Sequence, residues 1–347
     1  IARSFDGNVI MLTVSHTPKT DNGLKWIMQG EPPCPDMIQQ VASTAKAVFN
    51  PVEKISIAPC THEVLLQYCL QYQQALLDDI QLKRRFKVAL DGLNGSAGQC
   101  AALVLQKLDC ELIPIRCDAD GHFPAHAPDP SQKKHLLELR KTVLEQHADL
   151  GIALDGDGDR VVLIDEHANI ISADRLLSLF AEMCLTTHPA HEVVFDVKCS
   201  TMVRNTVRNL GGQPTMIRTG SSFLRRHMSR SNGKAVFGGE YAGHYVFNDG
   251  RGFGYDDGLY AALRVLEYLS QQPDLTLSEL LQAYPERSCT EDIYISTHNE
   301  QPTAVLQDIE SKSDAFKAQL SKIDGVRLDF TDGFGIIRAS NTGEYFT

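Results

Sequence analysis

The sequence predicts an α/β protein built from several units with mostly parallel sheets. Two observations carry this: short apolar runs alternate with amphipathic stretches from one end of the chain to the other, and the 347 residues are enough for two or more separate cores.

The strand signals are runs of four to six mostly apolar residues at 9–13, 86–90, 110–115, 149–154, 161–164 and 192–196. Between them, at 97–108, 135–147, 173–184 and 258–271, apolar residues recur at three- and four-residue steps, the spacing of one helix face. The stretch Gly121–Pro130 is a proline-rich excursion within one unit, and segments near Pro59, Asn169 and Pro285 carry boundary signals. No low-complexity tract or short repeat interrupts the pattern.

Composition excludes several function classes. Hydrophobic residues at 43% and charged residues at 22% describe a soluble globular chain, with no apolar run long enough to span a bilayer and no secretory signal at Ile1. The net charge of −11 disfavours nucleic acid and anionic membranes as partners, so a phosphorylated ligand must be met by a local cationic cluster. Nine cysteines without a Cys-x-x-Cys pair fit reduced thiols and a cytoplasmic location better than zinc or disulfides.

The densest chemical signal is Asp155-Gly-Asp-Gly-Asp-Arg160 between two strand runs. Carboxylates at alternate positions, separated by glycines free to turn tightly, can converge on one hard cation. An EF-hand would use Asp155, Asp157, Asp159 and Glu166, but it needs glycine where Arg160 stands, and helices rather than strands as flanks. A haloacid-dehalogenase-like phosphatase would use Asp155 as nucleophile at the end of its strand, and stays open as an alternative. A second signal, Thr13-Val-Ser-His-Thr-Pro18, leaves the first strand and is followed by Lys25. Alone it says little, because neighbouring side chains on an extended strand point to opposite faces. The glycine-rich turn Asp91–Gly98 follows a strand and opens a helix like a dinucleotide-binding turn, but its spacing is Gly-x-x-Gly-x-x-Gly and no dinucleotide reading is needed.

Together these segments resemble the α-D-phosphohexomutases, the phosphomannomutase/phosphoglucomutase group. Residues 13–18 resemble that family's Thr-x-Ser-His-Asn-Pro active-site loop and 155–160 match its metal loop. Gly239-Glu-Tyr-Ala-Gly-His244 resembles its sugar-binding loop, and Arg338-Ala-Ser-Asn-Thr342 matches its phosphate-binding loop. The resemblance implies mixed-sheet α/β domains around a central cleft, with a last domain of α+β type. The implied division is 1–60 with the serine loop, 61–169 with the metal loop, 170–284 with the sugar loop and 285–347 with the phosphate loop. It implies phosphoryl exchange between hexose 1-phosphate and hexose 6-phosphate, of mannose or glucose, through a phosphorylated Ser15. Asp155, Asp157 and Asp159, with the Ser15 phosphate, would hold Mg2+, and hexose 1,6-bisphosphate would act as intermediate and activator. His16, Lys25 and Arg160 would serve charge stabilisation and proton transfer. Glu240 and His244 would read sugar hydroxyls, and Arg338, Ser340, Asn341 and Thr342 would hold the phosphate not in flight.

Thr17, Ser221, Ala242 and Gly343 depart from the family's usual residues, although none of these changes removes a charged or metal-binding group. Tyr241 favours mannose and glucose phosphates over amino-sugar phosphates. With only fourteen residues before Ser15, the resemblance also implies that most of the first domain and the end of the last lie outside this sequence. A non-catalytic sugar-phosphate-binding relative is the competing reading; intact Ser15, Asp155, Asp157, Asp159, Glu240 and Arg338 favour the enzyme.

Overall fold

The computed structural model describes residues 6–13, 15–17, 20–48, 62–290, 292–297, 301–339 and 345–347. In chain order the elements begin with β1 (Val9–Leu12), β2 (Leu24–Ile27), α1 (Pro35–Val48), α2 (His62–Asp79), β3 (Lys87–Asp91), α3 (Gly98–Lys107) and β4 (Glu111–Ile115). They continue with α4 (Leu137–Gln146), β5 (Leu150–Leu154), β6 (Val161–Asp165), α5 (Ala173–Thr187), β7 (Glu192–Asp196), α6 (Thr201–Asn209), β8 (Gln213–Ile217) and α7 (Ser221–Arg230). Then come β9 (Ala235–Gly239), β10 (Tyr245–Phe247), α8 (Gly258–Ser270), α9 (Leu277–Leu280), β11 (Ile295–Ser296), α10 (Pro302–Ser311), β12 (Gln319–Ser321), β13 (Val326–Asp329), β14 (Phe334–Ile337) and β15 (Tyr345–Phe346). The chain divides into two compact units, Ile1–Ile170 with Asp256–Ser278, and Ile171–Tyr255 with Glu279–Thr347.

The first unit is organised on a mixed sheet of order β4-β3-β5-β6, parallel except for the β5–β6 hairpin. Ala89, Ala153 and Ile164 pack with Leu139 and Val143 of α4, while the alternate residues Val88, Leu90, Ile152 and Leu154 are fully buried too. Burial of alternate residues on both sides requires cover on both faces, which is why these strands read as continuous apolar runs. Gly151 lets α4 close on the sheet: a Cβ there would lie 3.0 Å from Val143 Cγ2 and 3.2 Å from Ile164 Cβ. Helix α8 packs against β5 and β6 and is buried nearly all round, so 256–278 groups with this unit by contact. The antiparallel pair β1–β2 carries the Ser15 loop between its strands.

The second unit repeats the plan. Its main sheet has the order β8-β7-β9-β10, again parallel except for the last hairpin. Phe180 of α5 packs against Phe237, Tyr245 and Phe247 at centroid distances of 5.5, 4.9 and 5.1 Å. Leu224 and Met228 of α7 cover Val194 and Val246. An antiparallel meander β12-β13-β14 with α10 completes the unit, in the α+β manner. Buried Arg327 fastens it to the end of β7: its Nη1 donates to the carbonyls of Val197 (2.5 Å) and Cys199 (2.6 Å), while its Nε and Nη2 hold Asp329.

Candidate active site

In the first unit, the β5–β6 hairpin and the loop after β1 meet side chain to side chain. Asp155 follows directly on the buried strand β5, and its Oδ1 accepts from Gly158 N (3.0 Å) and Arg160 N (3.2 Å), which curls the loop back on itself. Gly158 has φ +77°, in the left-handed region that a side chain disfavours. Gly156 is required for a different reason, because a Cβ there would sit 2.1 Å from the Ser15 carbonyl oxygen. The turn after β3 supports the loop from below, with Ser96 N donating to Gly156 O at 2.9 Å.

Ser15 is held at φ +58°, with its N–H on Thr13 Oγ1 at 2.9 Å. Its Oγ donates to Asp155 Oδ2 at 2.5 Å, receives a hydrogen bond from Arg160 Nη2 at 2.7 Å and lies 3.4 Å from His16 Nδ1. Arg160 Nη2 also contacts His16 Nδ1, and its Nε lies 3.1 Å from Asp155 Oδ2. The sequence separation of Ser15 and Asp155, 140 residues, is closed entirely by tertiary structure.

Asp155, Asp157 and Asp159 each present an oxygen within 4.8 Å of the others. Lys25 on β2 bridges Asp157 Oδ2 and Asp159 Oδ2, both at 2.7 Å. Burial works against the Lys25 ammonium, but Asp159 and Asp157 outweigh it and the net shift is upward. For Asp155, burial first and the Asp159 charge second push the carboxyl up to about 6, against the pull of Arg160. Asp157 Oδ1 is buried and accepts no hydrogen bond among the described residues. Converging carboxylates, one buried oxygen left over, and an ammonium drawn between two of the acids are the features of a site built for more positive charge. The residues therefore fit a hard divalent cation with oxygen ligands.

In the second unit, Glu240 and His244 occupy the β9–β10 hairpin, the position that the acidic loop holds in the first. Glu240 is almost wholly buried; its Oε1 accepts from Gly220 N at 2.5 Å and its Oε2 lies 3.0 Å from His244 Nδ1. Gly239 admits the hairpin, since a Cβ there would lie 2.2 Å from Leu177 Cδ2. Arg338 follows β14, with Nε donating to Asp324 Oδ2 at 2.9 Å and a buried Nη2 that makes no hydrogen bond among the described residues. Ser340, Asn341 and Thr342 lie outside the described residues.

Two acids that sequence reasoning passed over organise this second group. Buried Asp196, at the end of β7, accepts from Tyr241 N (3.0 Å) and Thr219 Oγ1 (2.8 Å), and burial together with the Glu240 charge raises its pKa. Asp324 binds Thr219 N at 3.2 Å as well as Arg338. An acid closing an apolar strand was the available signal for Asp196, as for Asp91, which pairs with Arg116 at the matching place in the first unit. Asp324 sits in a turn and carried none.

Residues 68–168 match the family described as "Phosphoglucomutase/phosphomannomutase, alpha/beta/alpha domain II", and 172–288 match its domain III. A phosphomannomutase/phosphoglucomutase from Pseudomonas syringae is 38% identical over 333 residues, covering 96% of this chain and 70% of the relative. A phosphoglucomutase from Neisseria meningitidis is 35% identical over 339 residues, covering 97% of this chain and 72% of the relative. The crystal structure of a phosphoglucomutase/phosphomannomutase family protein from Burkholderia thailandensis superposes with a TM-score of 0.87 at 33% identity, covering 98% of this chain and 71% of that one. No helix among the described residues is long and apolar enough to cross a membrane. With these relatives matched over nearly its whole length, the chain belongs to the phosphoglucomutase/phosphomannomutase family, the α-D-phosphohexomutases, and is a phosphohexose mutase.

Proposed function

We propose that this mutase interconverts the 1- and 6-phosphates of mannose and glucose, with Ser15 carrying the phosphoryl group between half-reactions. The observation that carries the reading is the setting of Ser15 Oγ, 2.5 Å from Asp155 and 2.7 Å from Arg160, beside three converging carboxylates. In the first half-reaction the bond from phosphorus to Ser15 Oγ breaks and one forms to the free hydroxyl of the sugar phosphate, whose proton leaves to a base. His16 is the candidate proton carrier. Lys25, kept an ammonium by Asp157 and Asp159, serves as a fixed positive charge. Arg160 reaches Ser15 Oγ directly, where it offsets charge on the oxygen that is left behind.

Asp155, Asp157 and Asp159 would hold Mg2+, which when bound supplies Lewis-acid stabilisation of the phosphoryl oxygens. The product of this step, hexose 1,6-bisphosphate, must present its other phosphate to Ser15 for the second step, so the sugar turns around. Glu240, with two carboxylate oxygens, and His244 can accept from or donate to hydroxyls in either orientation. Arg338, with its buried Nη2 left without a hydrogen bond among the described residues, suits the phosphate that is not in flight. The test is turnover of mannose 1-phosphate and glucose 1-phosphate with Mg2+ and a trace of glucose 1,6-bisphosphate. Activity abolished by EDTA and restored by Mg2+ is expected; turnover indifferent to both metal and bisphosphate would refute the reading.

A further inference from the structure

Asp324 is the meeting point of three groups from two other loops, the turn at 218–220 and the segment after β14. Its Oδ2 accepts from Arg338 Nε (2.9 Å) and from Thr219 N (3.2 Å), and Arg218 Nη2 stands 3.8 Å from its Oδ1. The Asp324 side chain is 8% exposed and that of Arg338 11% exposed, so both are withdrawn from bulk solvent and their pairing is only weakly screened. From Thr219 the hydrogen bonds run on. Its hydroxyl reaches Asp196 Oδ2, Asp196 Oδ1 takes Tyr241 N, and the next residue, Gly220, gives its N–H to Glu240. The turn at 218–220 thus ties the arginine after β14 to the hairpin that carries Glu240 and His244.

From this geometry we infer that Asp324 is a positioning residue for phosphate binding: it fixes the plane of the Arg338 guanidinium and sets its distance from the hydroxyl-reading hairpin. The inference rests on the reading of Arg338 as the phosphate holder. A guanidinium presents its donors in one plane, so a carboxylate on Nε leaves the Nη groups aimed in a set direction. Arg338 Nη2 is buried and makes no hydrogen bond among the described residues, so a donor is left for a ligand oxygen. Asp324 lies between two guanidiniums, those of Arg338 and Arg218, so its single charge offsets only one of the pair. Gly325, next in the chain, has φ +80°, and a Cβ there would lie 2.3 Å from Ile337 O; the turn that aims Asp324 at Arg338 is held by backbone packing.

The test is a double-mutant cycle in the protein, read as KM and kcat for glucose 1-phosphate with unfolding temperature as control. Asp324→Ala should raise KM roughly tenfold to a hundredfold while kcat changes less than about threefold. Asp324→Asn, which keeps one acceptor oxygen but no charge, should fall between it and the parent. On an Arg338→Ala background, Asp324→Ala should add less than about twofold to KM, because it acts through the arginine. A parental KM in Asp324→Ala alongside a raised one in Arg338→Ala overturns the inference, and so does full multiplication of the two effects. If Arg338→Ala itself has a parental KM, the phosphate-holder reading has failed, and the inference falls with it for a separately visible reason. Should Asp324→Ala not fold, Asp324→Asn decides: an unchanged KM at an unchanged unfolding temperature overturns the proposal.

Discussion

At the scale of single residues, the acids of the proposed site share their oxygens among several donors. Asp157 gives Oδ2 to Lys25 and to the Thr13 hydroxyl and keeps Oδ1 buried without a hydrogen bond among the described residues. Asp157→Asn would remove one of the three carboxylates proposed to hold the metal, and its amide would place a donor against Lys25. Turnover is expected to fall at least about a hundredfold, with Mg2+ or Mn2+ affinity by calorimetry down about tenfold or more and far-UV dichroism unchanged. Parental metal affinity in that variant would remove Asp157 from the site. Arg338→Ala should leave metal affinity alone and let more hexose 1,6-bisphosphate escape per turnover, measurable by trapping the free bisphosphate. The acidic loop was legible in sequence because its spacing is local. The pairing of Ser15 with Asp155 was reached through family resemblance, since nothing local in either segment points to the other. Asp196 and Asp324 escaped notice because each acts through a partner at least 14 residues away.

At the scale of elements, two features can be tested without touching a proposed ligand. Gly156→Ala would place a Cβ 2.1 Å from the Ser15 carbonyl oxygen, so one of the two loops must move. A cost of about 1–3 kcal/mol in stability is expected, with a much larger loss of activity, because the displaced groups are those proposed to react. Urea titration and turnover measured together check the asymmetry; an active variant would mean that the two loops do not work in contact. Helix α8 is capped by buried Asp257, whose Oδ1 accepts from Tyr260 N at 2.9 Å and whose carboxylate also receives the Tyr72 hydroxyl. Burial raises its pKa from 3.8 to about 6, against the hydrogen bonds of Tyr260 and Tyr72. The folded state therefore holds the proton more tightly than the unfolded chain between those two values. Its contribution to stability is greatest below about pH 4 and declines as pH rises to about 6, by up to roughly 3 kcal/mol. In Asp257→Asn this decline should vanish, so the parent should lose ground to the variant between pH 4 and pH 7 in denaturant titrations. Parallel stability curves would contradict the assignment. The sequence pattern located α8 well, through its three- and four-residue apolar steps, yet could not tell which unit it covers, because periodicity gives a buried face and not the surface it meets.

At the scale of the whole chain, the same plan occurs twice: a strand, its parallel neighbours on either side, and a closing antiparallel hairpin. The acidic loop and the Glu240–His244 loop sit on those two hairpins, and the buried acids Asp91 and Asp196 end the two equivalent first strands. This duplication was invisible in the sequence. Inward positions of a parallel sheet need only be apolar, so β3 and β7 share a pattern with little identity. The α/β class was legible for the complementary reason, since continuous apolar runs of five residues between amphipathic helices have few other solutions. The chain spans about 70% of the length of its P. syringae relative, and the motifs it carries reach from Ser15 to Arg338.

The central claim, that Ser15 is the phosphoryl carrier, is open to one direct measurement. The protein is incubated with glucose 1,6-bisphosphate and Mg2+, freed of ligand, and examined by intact mass and peptide mapping beside Ser15→Ala. One phosphoryl group on the Ser15 peptide of the parent, and none anywhere in the variant, is the predicted result. A phosphoryl group that persists in Ser15→Ala, or that maps to Asp155 in the parent, would contradict the account and make the acidic loop the nucleophile instead.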